Sequence, residues 1–265
     1  MSTATLPKPG AGAIAAPVGA ARLPVSAEER HVRVQLAALY REFARQGWTK
    51  MIFNHISARV PGTHDHFLIN PYGLSYEEVT ASNLVKIDLD GKIVGHSDWG
   101  VNEAGFIIHG AVHAARPDVQ CVIHHHAPSC TAVASLDCGL LPLSLEAAQF
   151  YERVAYYDFQ GLSDDRQECS AITRALGDHK VLFMRNHGVV ITGITIGEAL
   201  HLAVNLEHAC RVQLAIMSAN APYKLIPPEV ARHTVQQVRD KPARNEPVIE
   251  AVMRRLDRIA PDYRD

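Results

Sequence analysis

An apolar run that ends in three consecutive histidines, Val122, Ile123, His124, His125 and His126, constrains this chain more than any other stretch. Read as a strand over 120–126, its period of two puts His124 and His126 on one face and His125 on the other. Two imidazoles side by side on a rigid backbone make half of a transition-metal site, because Zn²⁺, Fe²⁺ and Mn²⁺ all accept neutral imidazole. A third histidine, His187, closes a second buried-type run over 180–187, and the following Gly188 lets the backbone turn. With 15 histidines in 265 residues some proximity is expected by chance, and a lone histidine is more often a core or surface residue. Placement at two strand ends favours a metal site over that bland reading.

Composition narrows the classes. A chain that is 47% hydrophobic and 20% charged can bury a sizeable core, and strands alternating with long helices favour one α/β domain. A net charge of -2 supplies no basic field for nucleic acid or a membrane surface. The five cysteines, at 121, 130, 138, 169 and 210, are odd in number and form no C-x-x-C pair, which suits a reducing cytoplasm. No apolar run approaches the roughly 18 residues of a membrane span. Residues 1–25, with only Lys8 and Arg22 as charges, read as a disordered tail and not as a signal peptide.

Helix signals begin at Ser26, three residues ahead of Glu29, and Leu36, Leu39, Tyr40 and Phe43 continue at helical spacing to near Gly47. Short strands are expected around 52–53, 57–60, 67–70 and 84–89, with a hairpin turn at Asp90 and Gly91 returning through 92–94. Helices follow over 102–115, 128–136, 145–151 and 165–176. After the strand 180–187 and its partner 189–192, Thr195 and Glu198 open a long helix to about Asn220. Beyond Pro222 the chain is broken by prolines and charged, with a last helix over 247–259.

The set formed by Asn54, His55, Ser57 and Arg59, by Ile69 through Tyr72 and Gly73, by His109 with Arg116, Pro117 and Asp118, by His124 to His126, and by Asn186, His187 and Gly188 resembles the class II aldolase/adducin family. The likeness runs over about 30–222 and is closer to the adducin-like branch. It implies a three-layer α/β/α fold with a central mixed, largely antiparallel sheet, a domain over 26–222 and a C-terminal extension with a helix over 223–265. It also implies a homotetramer with sites at subunit contacts, and a divalent metal on His124, His126 and His187. Zn²⁺ is the first expectation, with Fe²⁺ or Mn²⁺ as alternatives. Such a metal polarises a substrate carbonyl and hydroxyl and stabilises the enediolate left when a C–C bond breaks.

Departures from the family pattern shape the rest. Where the sugar-phosphate aldolases carry a catalytic glutamate four residues before the helix histidine, this chain has Gly105 ahead of His109. Their phosphate-contacting asparagine is replaced by His55, their threonine before glycine by Tyr72 ahead of Gly73, and their serine pair by Glu103 and Ala104. Loss of neutral donors and gain of a carboxylate argue against a phosphorylated sugar. His55, Tyr72 and Gly73 are therefore expected to bind a planar carboxylated or aromatic substrate, against the alternative that His55 and Tyr72 simply fill the space. The tyrosine that aldolases donate from a neighbouring subunit aligns with Glu146, which becomes the first acid/base expectation, with His55 second because it titrates nearest neutral pH. His109 is expected to be packed behind the metal ligands. The reading is a metal-dependent lyase cleaving or decarboxylating a small non-phosphorylated hydroxy or keto carboxylic acid. The alternatives are a non-haem iron oxygenase or oxidative decarboxylase on the same fold, and a non-catalytic adducin-like structural oligomer.

Overall fold

The computed structural model describes residues 13–14, 24–161, 166–239 and 245–265. Most of the expected tail, 1–25, lies outside the described residues, but β1 (Ala13–Ile14) pairs antiparallel with β5 (Val101–Asn102). Helix α1 (Ala27–Gln46) starts as its sequence predicts, with the Ser26 hydroxyl accepting the Glu29 N–H at 3.1 Å. Five strands follow the sequence reading closely: β2 (His55–Arg59), β3 (His66–Ile69), β4 (Val85–Asp88), β6 (Cys121–His125) and β8 (Val181–Met184). With β9 (Gly188–Gly193) and β7 (Val154–Tyr157) they form a seven-stranded sheet in the order β4-β3-β2-β6-β9-β8-β7. All its neighbours are antiparallel except β7 and β8.

The remaining helices are α2 (Glu103–Ala115), α3 (Pro128–Ala134), α4 (Leu145–Ala148), α5 (Arg166–Leu176), α6 (Ile196–Ser218), α7 (Pro228–Arg239) and α8 (Glu246–Ile259). Strand alternation sorts the core into two sides. Ile56, Ala58, Cys121, Ile123, Phe183 and Ile191 pack with buried residues of α1, α3, α6 and α8 on one face. On the other, Val122, Leu182, Met184 and Val190 pack with Ile108 and Val112 of α2 and with Ile172 and Leu176 of α5. The result is the expected α/β/α sandwich around a mixed, largely antiparallel sheet. Helix α8 and the segment that follows it are joined to the same core, since Ile249, Val252 and Leu256 of α8 and Tyr263 are buried in it.

Three expectations change. Residues 52–53 belong to a turn and not a strand: the Phe53 N–H donates to the Lys50 carbonyl at 3.0 Å, and Met51 takes a left-handed φ of 50°. The return after Asp90 and Gly91 is reduced to a bridge between Ile87 and Ile93. Strand β7 and helix α7 went unread, because four residues at a sheet edge and a charged helix after prolines each give little periodic signal.

Candidate metal centre

The same alternation that divides the core also builds the centre. His125 faces α1, where its ring lies edge-on to Phe43 and, just past the helix end, nearly parallel to Trp48 (centroids 6.2 Å, planes 17° apart). His124, on the opposite face, meets His126 just past the end of β6 and His187 from the turn between β8 and β9. Asn186 supplies the left-handed residue of that turn, at φ 58°, a conformation asparagine tolerates better than most residues. The potential ligand atoms of the three histidines all lie within 4.8 Å of one another, and His124 Nε2 and His126 Nε2 are 2.9 Å apart.

The protonation pattern suits a metal. His124 Nδ1 lies 3.0 Å from the Val189 carbonyl, which can only accept, so Nδ1 carries the proton and Nε2 keeps its lone pair. Burial, then the neighbouring imidazoles, push His124 well below the ordinary histidine pKa. Burial, His187 and Lys50 together bring His126 down to about 4, and burial and then Lys50 lower His187. Three neutral imidazoles at one sheet end are the donor set a divalent transition metal takes. Gly188 makes the approach possible, because a Cβ there would come within 2.6 Å of both the His125 carbonyl oxygen and the His126 ring.

Behind the triad, between β2 and α2, lies a buried polar stripe that the sequence reading did not assemble. His55, Ser57 and Arg59 share one face of β2, and His109 and His113, four apart on α2, face them. The Arg59 guanidinium only donates, so His113 Nδ1, 3.4 Å from it, accepts and its Nε2–H donates to Ser57 Oγ at 2.8 Å. The Ser57 hydroxyl in turn donates to His109 Nδ1 at 2.6 Å. His109 is thus packed and hydrogen-bonded, as expected. The alternating polar positions of β2 together with the i, i+4 histidines of α2 were the available signal.

Residues 34–214 match the family described as Class II Aldolase and Adducin N-terminal domain. The chain belongs to this family. Rat alpha-adducin is 46% identical over 202 residues, which cover 75% of this chain and 27% of that protein. A crystal structure of an aldolase II superfamily protein from Pseudomonas syringae superposes with a TM-score of 0.86 at 43% identity, covering 91% of this chain and 98% of that one. An L-fuculose 1-phosphate aldolase from Glaciozyma antarctica PI12 superposes at 0.79 and 28% identity, covering 92% and 97%.

Within this class II aldolase fold, the departures become physical. The His55 ring stacks on His124 (centroids 5.8 Å, planes 16° apart) and lies edge-to-face with His109. It occupies the space that a side chain at position 105 would need, since a Cβ on Gly105 would sit 2.5 Å from His55 Cδ2. The two substitutions are one feature: the ring fills what the missing side chain leaves. His55 is only 5% exposed, and burial, then His126 and His187, bring it down to about 3, so the premise that it titrates near neutrality is corrected. Its Nε2 meets the Asn102 amide at 3.3 Å. Tyr72 and Gly73 follow β3 at the sheet end where β2 begins, with the Tyr72 N–H on the Gly100 carbonyl at 2.9 Å. The side chains of Glu103 and Ala104 lie outside the described residues. Glu146, on α4, pairs with His208 of α6 at 3.8 Å and is not among the groups that meet the triad within this chain.

Proposed function

We propose that this chain is a metal-dependent lyase that cleaves a C–C bond, by retro-aldol reaction or decarboxylation, in a small non-phosphorylated hydroxy or keto carboxylic acid. The observation that carries the reading is the convergence of His124, His126 and His187, drawn from two separated parts of the chain and each lowered in pKa toward the neutral form. Bound there, a divalent metal supplies a Lewis acid for the substrate carbonyl and hydroxyl oxygens. His124 is held for that task by the Val189 carbonyl, and the apolar packing of His125 keeps β6 in register. Proton movement is assigned to Glu146, acting across a subunit contact in a homotetramer, since His55 is buried and neutral. Tyr72 and Gly73, at the sheet end shared with His55, are assigned to substrate contact. Replacement of phosphate contacts at 55 and 72 separates the proposed substrate from the sugar phosphate in the name of the Glaciozyma relative.

Metal analysis of protein purified without added metal is the first test: one Zn²⁺ per chain supports the lyase, and Fe²⁺ moves the reading to an oxygenase. Thermal shift with ligands is the second, and a sugar phosphate that stabilises the protein more than every carboxylate tried would overturn the substrate assignment. A second reading, a non-catalytic assembly module, is favoured by the 46% identity to alpha-adducin and by the absence of a side chain at Gly105. A metal-loaded chain with no turnover on any hydroxy or keto acid would establish it instead.

A further inference from the structure

We infer that a cavity at the β4 edge of the sheet, apart from the metal centre, is a binding site for a small aromatic monocarboxylate. The cavity measures about 330 Å³, at the lower end of small-molecule sites. It lies between the first turns of α1, residues 81–84 ahead of β4 and residues 94–99 after it. Val85 and Ile87 of β4 pack with Phe106 on the α2 side of the sheet, whereas Lys86 turns toward α1 and meets Glu29 at 2.6 Å. The cavity is therefore on the opposite face from His124, and β4 stands three strands from β6, roughly 14 Å at the usual strand spacing. The inference stands independently of the metal-centre reading.

The floor of the cavity is built from buried charge. Glu29, 4% exposed, accepts from Arg33 Nε at 2.9 Å with one oxygen and from Lys86 Nζ at 2.6 Å with the other. Two cations on one carboxylate leave a net charge of +1 where solvent screens it poorly. Arg33, 8% exposed, spends its Nη1 on the Ala81 and Leu84 carbonyls at 3.2 and 2.8 Å. Among the described residues nothing accepts from Arg33 Nη2, and it is not among the buried nitrogens cut off from solvent, so it opens into the cavity that Arg33 lines. Unspent guanidinium N–H groups and one uncompensated charge fit a carboxylate, which brings one negative charge and two acceptor oxygens. A phosphate monoester carries about −1.5 to −2 and would overfill that balance. The exposed Arg30 and Asp98 at the rim are opposite in sign and leave the balance unchanged. The walls select the body of the ligand. Val25, Leu84 and Val94 are apolar, and Trp99, packed on the cluster of Ile87 and Val101, offers an indole to a flat ring. These walls are fixed in advance, since the Val94 N–H donates to the Lys86 carbonyl at 2.9 Å, the Ala81 N–H to the Tyr263 carbonyl at 3.0 Å and the Trp99 N–H to Ser97 Oγ at 3.1 Å.

The test uses the full chain and calorimetric titration with benzoate, with neutral benzamide of the same shape and with phenyl phosphate. The variants are Arg33→Lys, which keeps the charge and loses the Nη2 donors, Lys86→Gln, which leaves the Arg33–Glu29 pair in place, and Trp99→Leu, with melting temperature and metal content measured in each. Benzoate is expected to bind wild type about tenfold more tightly than either other probe, and to bind Arg33→Lys and Lys86→Gln about tenfold more weakly than wild type. Trp99→Leu is expected to weaken benzoate and benzamide alike, by about fivefold. If Arg33→Lys fails to fold, Lys86→Gln carries the charge test. No benzoate binding, equal affinity for benzamide, or unchanged benzoate affinity in the folded charge variants overturns the inference, the last because benzoate held at the metal centre would not respond to changes three strands away. Tighter binding of phenyl phosphate overturns the monocarboxylate assignment, and unchanged affinity in Trp99→Leu overturns the aromatic one.

Discussion

His124 and His125 are adjacent in sequence and opposite in consequence. Replacing His124, His126 or His187 with Ala removes a ligand from a group whose atoms lie within 4.8 Å, and is expected to cut metal content sharply. His125→Ala is expected to keep the metal and lose about 2–4 kcal/mol of stability, because it empties a buried volume between Phe43 and Trp48. Metal analysis and urea unfolding of the same four proteins separate the two effects, and retained stoichiometric metal in a His124→Ala, His126→Ala double variant would refute the assignment. The pairing of Gly105 with His55 gives a second prediction. Gly105→Ala drives a methyl to within 2.5 Å of the His55 ring and is expected to cost about 1–3 kcal/mol. In a His55→Ala background that cost should largely vanish, so the double-mutant cycle should show a large coupling. Additive effects would mean that the ring does not fill the space at position 105.

Strand β2, whose five residues are all buried, is held from both faces by polar clips that satisfy its buried polar groups. On the α1 face the Tyr40 hydroxyl accepts the Ile56 N–H at 2.9 Å and the Asn70 N–H at 3.1 Å, tying β2 to the end of β3. On the α2 face Ser57 Oγ bridges His109 and His113. Ser57→Ala strands two buried imidazole nitrogens at once, at about 1–3 kcal/mol for each unsatisfied group. We expect a loss of that order in urea unfolding with metal content unchanged, since Ser57 is not a ligand. A loss below about 0.5 kcal/mol would show that the bridge is dispensable, the effect then being no larger than a surface substitution.

The whole molecule inherits an acid sensitivity from its buried histidines. His55, His113 and His125 are each brought to about 3, with burial the largest cause. These are bases with depressed pKa values, so above about pH 6.5 both folded and unfolded forms are neutral and contribute no pH dependence. Below it the unfolded chain takes up protons that the folded chain refuses, and stability falls as pH drops toward about 3. Three such groups give a slope of at most about 4 kcal/mol per pH unit, so the melting temperature is expected to fall steeply between pH 6.5 and 5. A flat profile over that range would contradict the buried neutral assignment. Assembly belongs to the same scale: light scattering at micromolar concentration is expected to give four times the 29.1 kDa chain mass. A monomer would refute the tetramer and with it the role of Glu146 across a subunit contact.

The sequence by itself determined the sheet strands that matter, the separation of His125 from His124 and His126, and the likeness to the class II aldolase/adducin family. Period-two burial is a local property, written into β6 by Val122 and Ile123 and read without any knowledge of what packs on either face. Only the tertiary structure decided what His55 is. Its neighbours His109, Gly105 and Asn102 come from residues about 50 positions later, and their closeness follows from how α2 lies across β2. Periodicity specifies which face a side chain takes, whereas a pKa or a steric exclusion depends on which distant atoms share that face.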